Sequence, residues 1–259
     1  MSFITKQELQ TQEQELRQAV EFALNLAKKA GAEAEVGVTK VAGLSVSSRL
    51  EQVENIEFNN DGSLGISVYL GKRKGNASTS DLQSKSIQQA VESALAIAKH
   101  TSEDDCAGLA DKELMAFDAP DLELYHQADL SVDQALALAI ETENAALNAD
   151  EQIVNSEGAT FNSHSGVRVY GNTHGMLQSN LSSRYSLSCS VIAAHGEQLE
   201  RDYEYTISRE FDKLQAPQWV GQQAAFKAVD RLNPQKIKTC EVPVIYYNDV
   251  ATGLIGHLA

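Results

Sequence analysis

The spacing of apolar residues along the chain predicts four helices. In the stretches 6–30, 84–100, 131–149 and 217–232, apolar side chains recur every three or four residues, which is the period of an amphipathic helix. Gly31 follows the first stretch, and glycine is a common residue just past the end of a helix. Each of these helices has one apolar face, which must pack against another layer of the fold.

Between the helical stretches the apolar period changes to two, which is typical of half-buried strands. This alternation occupies residues 34–48 and 64–70 and returns in a second block at 151–207. A last apolar run, Val242 to Tyr247, predicts a final strand near the end of the chain.

Two clusters of turn-forming residues lie in the first strand block: 59–62 is Asn-Asn-Asp-Gly and 71–75 is Gly-Lys-Arg-Lys-Gly. Runs of neighbouring strands, rather than strict alternation of strand and helix, favour an α+β fold with largely antiparallel strands. We therefore predict two sheet-plus-helix units within one N-terminal domain of residues 1 to about 235. The acidic stretch 101–130, broken by Pro120, is expected to form a linker-like surface excursion.

The end of the chain has the pattern of an unfinished helix. Small and apolar residues follow Asn248, but no glycine, asparagine or proline stop signal follows Leu258, and no basic last turn completes the helix. We therefore expect residues 240–259 to be the beginning of a further C-terminal domain, cut short at Ala259.

Composition excludes several functional classes. A formal net charge of −15 over 259 residues disfavours binding to a nucleic-acid backbone, and Lys72–Lys74, the only dense basic group, is best explained as a solvated turn. No apolar run approaches the roughly 20 residues of a membrane span, and residues 1–7 lack a signal pattern. The three cysteines form neither a disulfide framework nor a metal knuckle, which fits a reducing cytoplasm; they are Cys106, Cys189 and Cys240.

Few residues have a spacing that suggests chemistry. His164 and His174 could form a metal pair on neighbouring strands, although turn-capping roles explain both. His257 is better explained as a packing or surface residue than as a ligand. Glu200–Tyr205 alternates charged and aromatic residues, which favours a solvated strand with cross-strand ion pairs over a peptide-binding or partner-binding face. Neither a Gly-x-Ser-x-Gly elbow nor a phosphate-binding glycine loop occurs.

Longer strings of sequence carry a resemblance to a known family. These strings are Ser45–Arg49, Val53–Asn59, Asp61–Tyr69, Phe161–His164, Glu200–Tyr203 and Tyr246–Ala259. Together they resemble the TldE-type (PmbA-type) subunits of the TldD/PmbA metallopeptidase family, over residues from about Glu13 to the end of the chain. The length of the matching strings makes this resemblance more specific than any short motif.

The resemblance implies a cytoplasmic, two-subunit metallopeptidase that trims peptide precursors such as a microcin and degrades an unfolded antitoxin. In the family, the TldD-type subunit binds zinc through His-Glu-x-x-x-His at a strand-to-helix junction. Aligned on that junction, this chain has Asn248 and Gly253 in place of the two histidines and Asp249 in place of the glutamate. We therefore expect no metal, no cofactor and no catalytic residue in this chain, with zinc in a TldD-type partner.

The expected partners are a TldD-type subunit and an unfolded peptide substrate, with a homodimer formed in isolation. Two alternatives remain open on the sequence. The chain could belong to an autonomous metallopeptidase whose ligands lie beyond Ala259. It could also be a regulatory binding protein, because the family has been described as modulating DNA gyrase.

Overall fold

A computed structural model describes residues 6–258 and contains one six-stranded sheet with helices packed against it. In chain order the regular elements are α1 Lys6–Lys29, β1 Glu33–Arg49, β2 Gln52–Leu70, β3 Arg73–Thr79, α2 Ser84–His100, α3 Val132–Leu147, β4 Ile153–Asn172, β5 Leu177–His195, β6 Gln198–Ser208, α4 Pro217–Asp230 and α5 Asn248–Gly256. Two short 3-10 turns, Lys112–Leu114 and Phe211–Lys213, complete the described elements.

All neighbouring strands are antiparallel, in the order β3-β2-β1-β4-β5-β6, which confirms the predicted α+β class. The chain folds as two successive units of helix, three strands and helix. Their first strands, β1 and β4, pair with each other, so the two predicted sheet-plus-helix units share one continuous sheet. The second and third strands of each unit then extend the sheet outward on either side.

Two apolar clusters form the core, one for each pair of helices. The first lies under α1 and α2 and the second lies under α3 and α4. Strand β1 serves both, because its first half carries Val36 and Val38 into the first cluster and its second half carries Leu44 and Val46 into the second. Phe161, the largest fully buried side chain, lies in the second cluster and meets the edge of the Phe211 ring.

Each unit also contains a glycine at which a helix packs closely against a neighbouring element. A Cβ added to Gly75 on β3 would lie 2.0 Å from the carbonyl oxygen of Ala94 on α2. A Cβ added to Gly221 on α4 would lie 2.2 Å from the carbonyl oxygen of Thr142 on α3. Only a residue without a side chain fits at these two contacts, so they fix the distance between the packed elements.

The four helices predicted from periodicity are confirmed to within a few residues. Ser131 caps α3 through a capping box, in which its hydroxyl accepts from the Gln134 amide and the Gln134 side chain accepts from the Ser131 amide. Pro217 occupies the first turn of α4, where its missing N–H costs nothing. Gly31, at φ 74°, follows α1 in the left-handed conformation expected of a helix stop.

Two local predictions are wrong. Residues 59–62 do not form a turn, because β2 continues through them and pairs with residues 40–43 of β1. Val242 to Tyr247 does not form a strand: no described segment pairs with it, and its side chains are mostly exposed. A strand needs a neighbour to satisfy its backbone groups, and the described chain supplies none at this point.

The turn that does join β1 to β2 contains no glycine. Leu50 and Glu51 adopt φ values of 49° and 63°, a left-handed pair that matches a tight hairpin turn but is disfavoured for residues with a side chain. The buried carboxylate of Glu143 on α3 accepts from both turn amides, at 2.8 Å from Leu50 and 3.2 Å from Glu51. It also accepts from the Ser48 hydroxyl at 2.9 Å, so helix α3 holds the hairpin in place.

We expect Glu143→Ala to lower the free energy of unfolding by about 3 kcal/mol, because it leaves two backbone amides and a buried hydroxyl without an acceptor. Glu143→Gln keeps one carbonyl oxygen and should cost about 1 kcal/mol. Urea unfolding followed by circular dichroism measures both changes. The control is Glu141→Ala on the exposed side of the same helix, expected within about 0.5 kcal/mol of the wild type. Equal losses for Glu143→Ala and Glu141→Ala would contradict this role.

A second polar cluster lies on the sheet face opposite the helices. The Glu35 carboxylate accepts hydrogen bonds from the hydroxyls of Tyr69, at 2.9 Å, and Tyr170, at 3.1 Å. Burial, followed by the hydrogen bond to Glu35, raises the pKa of Tyr69 from 10.0 to about 12. Burial is also the main cause that raises the pKa of Tyr170. The cluster therefore ties β1, β2 and β4 together while both tyrosines stay protonated.

This cluster predicts a loss of stability at high pH. The unfolded chain releases the Tyr69 proton near pH 10, whereas the folded chain keeps it until about pH 12. The stabilisation is therefore complete below pH 10 and declines as the pH rises from 10 to about 12. We expect Tyr69→Phe to flatten this decline in urea unfolding measured across that range, and Tyr246→Phe, at an exposed position, to leave it unchanged. An identical slope in the wild type and Tyr69→Phe would refute this prediction.

Candidate functional site

Helix α5 begins at the residue where the sequence places the degenerate metal motif. Asn248 is the first helical residue, and its side-chain amide donates to the Asp249 carboxylate at 3.1 Å. Gly253 lies one and a half turns further on, and a Cβ added there would meet open space. No described residue of α5 is buried, so these three positions face solvent in this chain.

The residues at this junction do not fit a zinc ion. Zinc prefers imidazole, thiolate or carboxylate ligands, and among the three positions only Asp249 offers one. Residues five apart on a regular helix differ in direction by about 140°. Helix α5 is α-helical throughout, so Asn248 and Gly253 point in different directions. The resemblance aligns Asp249 with the glutamate of the family's zinc motif, and this position supplies one carboxylate but no second metal ligand.

The histidines do not assemble into an alternative metal site. His164 lies within β4, beside Gly43 of β1 and Arg184 of β5, where burial lowers its pKa and the Arg184 charge lowers it further. His174 lies beyond the end of the same strand and contacts Glu33 at 3.1 Å. The eight steps along the backbone from His164 to Asn172, the end of β4, span about 27 Å, so the two imidazoles cannot share one ion.

His257 forms the C-cap of α5 and is exposed. Among residues 6–258, no group of three or more histidine, cysteine, aspartate or glutamate side chains could hold a metal ion. The only buried cysteine, Cys189, is also unsuited to catalysis. Burial raises the pKa of its thiol to about 12, and the nearby Glu143 charge adds to the rise, so it stays protonated.

The predicted charged strand Glu200–Tyr205 lies in β6 and divides its side chains between two faces. On the helix side, Asp202 pairs with Arg231 and Glu204 pairs with Lys227 at 2.9 Å. On the other side, Arg201 reaches across β5 to Glu157 at 3.1 Å. The ion pairs expected of this strand are therefore present, although two of them join it to α4 rather than to another strand.

The segment after α4 is the most apolar exposed surface of the described chain. Its exposed apolar side chains are Ile237, Val242, Val244, Ile245, Tyr246, Tyr247, Val250, Leu254, Ile255 and Leu258. A cation–π contact links it to the domain: the Lys227 ammonium lies 5.7 Å from the centre of the Tyr247 ring. Burial lowers the pKa of Lys227, but the hydrogen bond and charge of Glu204 outweigh that effect and raise it, so the cation is kept. Surfaces of this kind usually mark an interface.

A groove lies elsewhere, between the excursion and the edge of β5. Its volume is about 700 Å³, and its lining includes Glu13 of α1, residues 119–126 and residues 178–181. No serine or cysteine in it is paired with a histidine base, because Ser179 bonds to Glu13 and His126 bonds to the Glu123 carbonyl. The groove therefore shows no arrangement for nucleophilic catalysis.

Sequence reasoning missed Glu143 and the cluster around Glu35. A signal existed for Glu143, because it lies between Ala139 and Ala146 on the apolar stripe of α3, where an acidic residue is out of place. No comparable signal marked Glu35, which occupies an ordinary polar position in a strand with alternating residues. None of the described helices is long and apolar enough to cross a membrane.

Comparison with known proteins gives consistent matches. Residues 34–98 match the PmbA/TldA metallopeptidase domain 1, and residues 125–232 match the PmbA/TldA metallopeptidase central domain. A Metalloprotease PmbA homolog of Haemophilus influenzae is 71% identical over 251 residues, which cover 97% of this chain and 56% of that protein. The chain thus spans little more than half the length of this relative.

Two crystal structures share the fold at low sequence identity. A protein from Bacteroides thetaiotaomicron, described as a candidate modulator of DNA gyrase, superposes with a TM-score of 0.77 at 23% identity, covering 91% of this chain and 52% of that one. TldE from Thermococcus kodakarensis superposes with a TM-score of 0.62 at 16% identity, covering 82% of this chain and 47% of that one. With the two domain matches and the close relative, these findings place the chain in a known family: it belongs to the PmbA/TldD metallopeptidases.

Proposed function

We propose that this chain is part of a TldE-type subunit, which does not itself perform catalysis, in a two-subunit metallopeptidase. The observation that carries the proposal is the start of α5, where Asn248, Asp249 and Gly253 stand in place of the zinc-binding residues. The absence of a metal-holding group elsewhere in residues 6–258 supports it. The metalloprotease name of the close relative supports a peptidase function for the complex.

In this proposal a TldD-type partner carries the zinc, and the present chain shapes the space that receives an unfolded peptide. The exposed apolar segment 237–258 suits this role, because its side chains need cover from another part of the protein or from a partner. The substrates would be peptide precursors such as a microcin, and an unfolded antitoxin, in the cytoplasm. In isolation, the same surface would support a homodimer.

The competing function is autonomous hydrolysis by ligands outside residues 1–259. One observation keeps it relevant: the chain covers only 56% of its close relative, so the remainder of such a protein has room for a metal site. The gyrase-modulator function has less support here, because beyond the family resemblance it rests on the description of a structure at 23% identity, which shows the fold alone.

Metal content and activity distinguish the two functions. We expect the purified full-length protein to contain less than one zinc per chain and to cleave no unstructured peptide alone, because no metal lowers the pKa of a bound water toward about 7. Cleavage should appear only on mixing with the TldD-type subunit. The measurements are elemental analysis and peptide cleavage by the chain alone, the partner alone and the mixture.

The matched variant is Asp249→Ala, expected to leave the activity of the mixture within about threefold, since Asn248 and Gly253 beside it offer no zinc ligand. Replacing the corresponding glutamate in the TldD-type subunit should instead abolish activity. Stoichiometric zinc in this protein, or chelator-sensitive cleavage by it alone, would overturn the proposal in favour of autonomous hydrolysis.

A further inference from the structure

Strand β2 extends far beyond its outer neighbour. Strand β3 pairs only with Leu64–Leu70, so residues 52–63 of β2 form a free edge of the sheet. We call this segment the β2 edge. On its inner side it pairs with β1, with one bulge at Glu54, and from Asn55 onward the pairing is continuous and in one register.

The backbone direction along the β2 edge follows from the adjacent hairpin. Leu70 and Arg73 close a two-residue turn as a pair, so the backbone groups of the even-numbered residues from Ile56 to Leu70, beyond the bulge at Glu54, point to the β3 side. Beyond the end of β3, the same alternation points the amides of Ile56, Phe58 and Asn60 away from β1. None of these three amides donates to another described residue.

The corresponding edge of the second unit is covered by the chain itself. Ser183 of β5 and Phe58 of β2 occupy corresponding positions in the two units. Ser183 lies as far before the turn at Gly196 as Phe58 lies before the turn at Gly71. Strand β6 ends before it can pair with Ser183, and the Ser183 amide instead donates to the carbonyl of Leu124 at 3.0 Å. The excursion at Leu124 thus occupies, beside Ser183, the position that stays open at Phe58 of the β2 edge.

The outer edge of β6 is protected by side chains at its centre. The amide of Tyr203 donates to the Asp202 carboxylate at 2.8 Å, and the amide of Tyr205 donates to the Glu204 carboxylate at 2.9 Å. Natural sheets commonly block their edges in such ways. The outward amides of Ser183, Tyr203 and Tyr205 in β5 and β6 therefore have acceptors, whereas those of Ile56, Phe58 and Asn60 in β2 have none.

The two faces of the β2 edge differ in chemistry. On the helix side, Val53, Ile56 and Phe58 are 50%, 43% and 50% exposed, although their β1 partners are buried. On the opposite face lie Glu57 and Asp61. No lysine or arginine occurs between Arg49 and Lys72. An added strand would meet apolar side chains on one face and carboxylates on the other.

We propose that the β2 edge binds an extended peptide segment by strand addition, and that this segment alternates apolar and basic residues. Main-chain hydrogen bonds to Ile56, Phe58 and Asn60 supply the binding, while the alternation matches the two faces of the edge. A second copy of this chain fits poorly, because two such edges would bring their acidic faces together. The inference is independent of the metal and of the catalytic subunit.

Binding is tested with a fluorescent dodecapeptide of alternating lysine and valine, titrated with the 259-residue chain in fluorescence anisotropy. Three matched peptides serve as controls: one with glutamate for lysine, one with proline in place of the valines, and one N-methylated on the valine amides, which face the edge when the valines lie beside Ile56 and Phe58. We expect saturable binding of the Lys-Val peptide and at least about tenfold weaker binding of each control, because each removes either the charge match or the main-chain donors. Added salt should weaken binding of the Lys-Val peptide.

The protein variants locate the site. Phe58→Pro removes an outward amide and should weaken binding by about tenfold or more. The control is Ile207→Pro on the edge of β6, which is 44% exposed and whose amide also points outward; it should bind the peptide as the wild type does. Circular dichroism checks that both variants fold. If Phe58→Pro does not fold, the N-methylated peptide decides the question on the unchanged protein.

Four outcomes would overturn the proposal. They are an absence of saturable binding, equal binding of the Lys-Val and N-methylated peptides, equal losses in folded Phe58→Pro and Ile207→Pro, and equal binding of the Glu-Val peptide. Sedimentation velocity of the chain alone tests whether a second copy of the chain occupies the β2 edge instead of a peptide. Dimers that Phe58→Pro abolishes, without any peptide binding, would show that the edge pairs with a second copy instead.

Discussion

The rest of the structure depends on the pairing between β1 and β4. This ladder joins Glu35–Ser48 to Ala159–Asn172 and is the only strand pairing between the two units. Each of the two strands contributes to both apolar clusters, so Val38 and Val169 face α1 and α2 while Val46 and Phe161 face α3 and α4. A slip of one residue would turn all of these side chains to the wrong face and open both cores at once. The ladder is therefore the constraint that makes the two units one domain.

Much of the fold could be predicted from the sequence because its helices obey a simple rule. Their apolar stripes and stop signals, such as the glycine after α1, depend on neighbouring residues in the sequence. They can therefore be identified without knowing the tertiary contacts. The turns between strands were harder to predict from the sequence. Asn59–Gly62 has turn-forming residues but lies in a strand, because its pairing with β1 outweighs its local preference. Leu50 and Glu51 form the real turn because Glu143, distant in sequence, supplies the acceptor.

The candidate site was also only partly predictable from local sequence patterns. The degenerate motif at Asn248 was found through a resemblance, and neither composition nor spacing alone would have singled it out. The apolar run before it looked like a strand because its residues suit one, yet a strand exists only where a neighbour pairs with it. The open edge of β2 was hidden for a related reason. Which strand ends first, and which amides are left without a partner, is a property of the assembled sheet rather than of any single segment.

The distribution of the three thiols offers a direct way to follow the end of the chain. Cys189 is enclosed in the second apolar cluster and remains protonated at ordinary pH, whereas Cys106 and Cys240 are exposed. A maleimide reagent should therefore modify two cysteines and spare the third without any mutation, since the thiolate is the reactive form. Cys106 lies in the excursion and Cys240 lies in the apolar segment after α4. The native chain thus carries a natural pair of attachment points for spectroscopic probes, from which the distance between those two segments can be measured as partners are added.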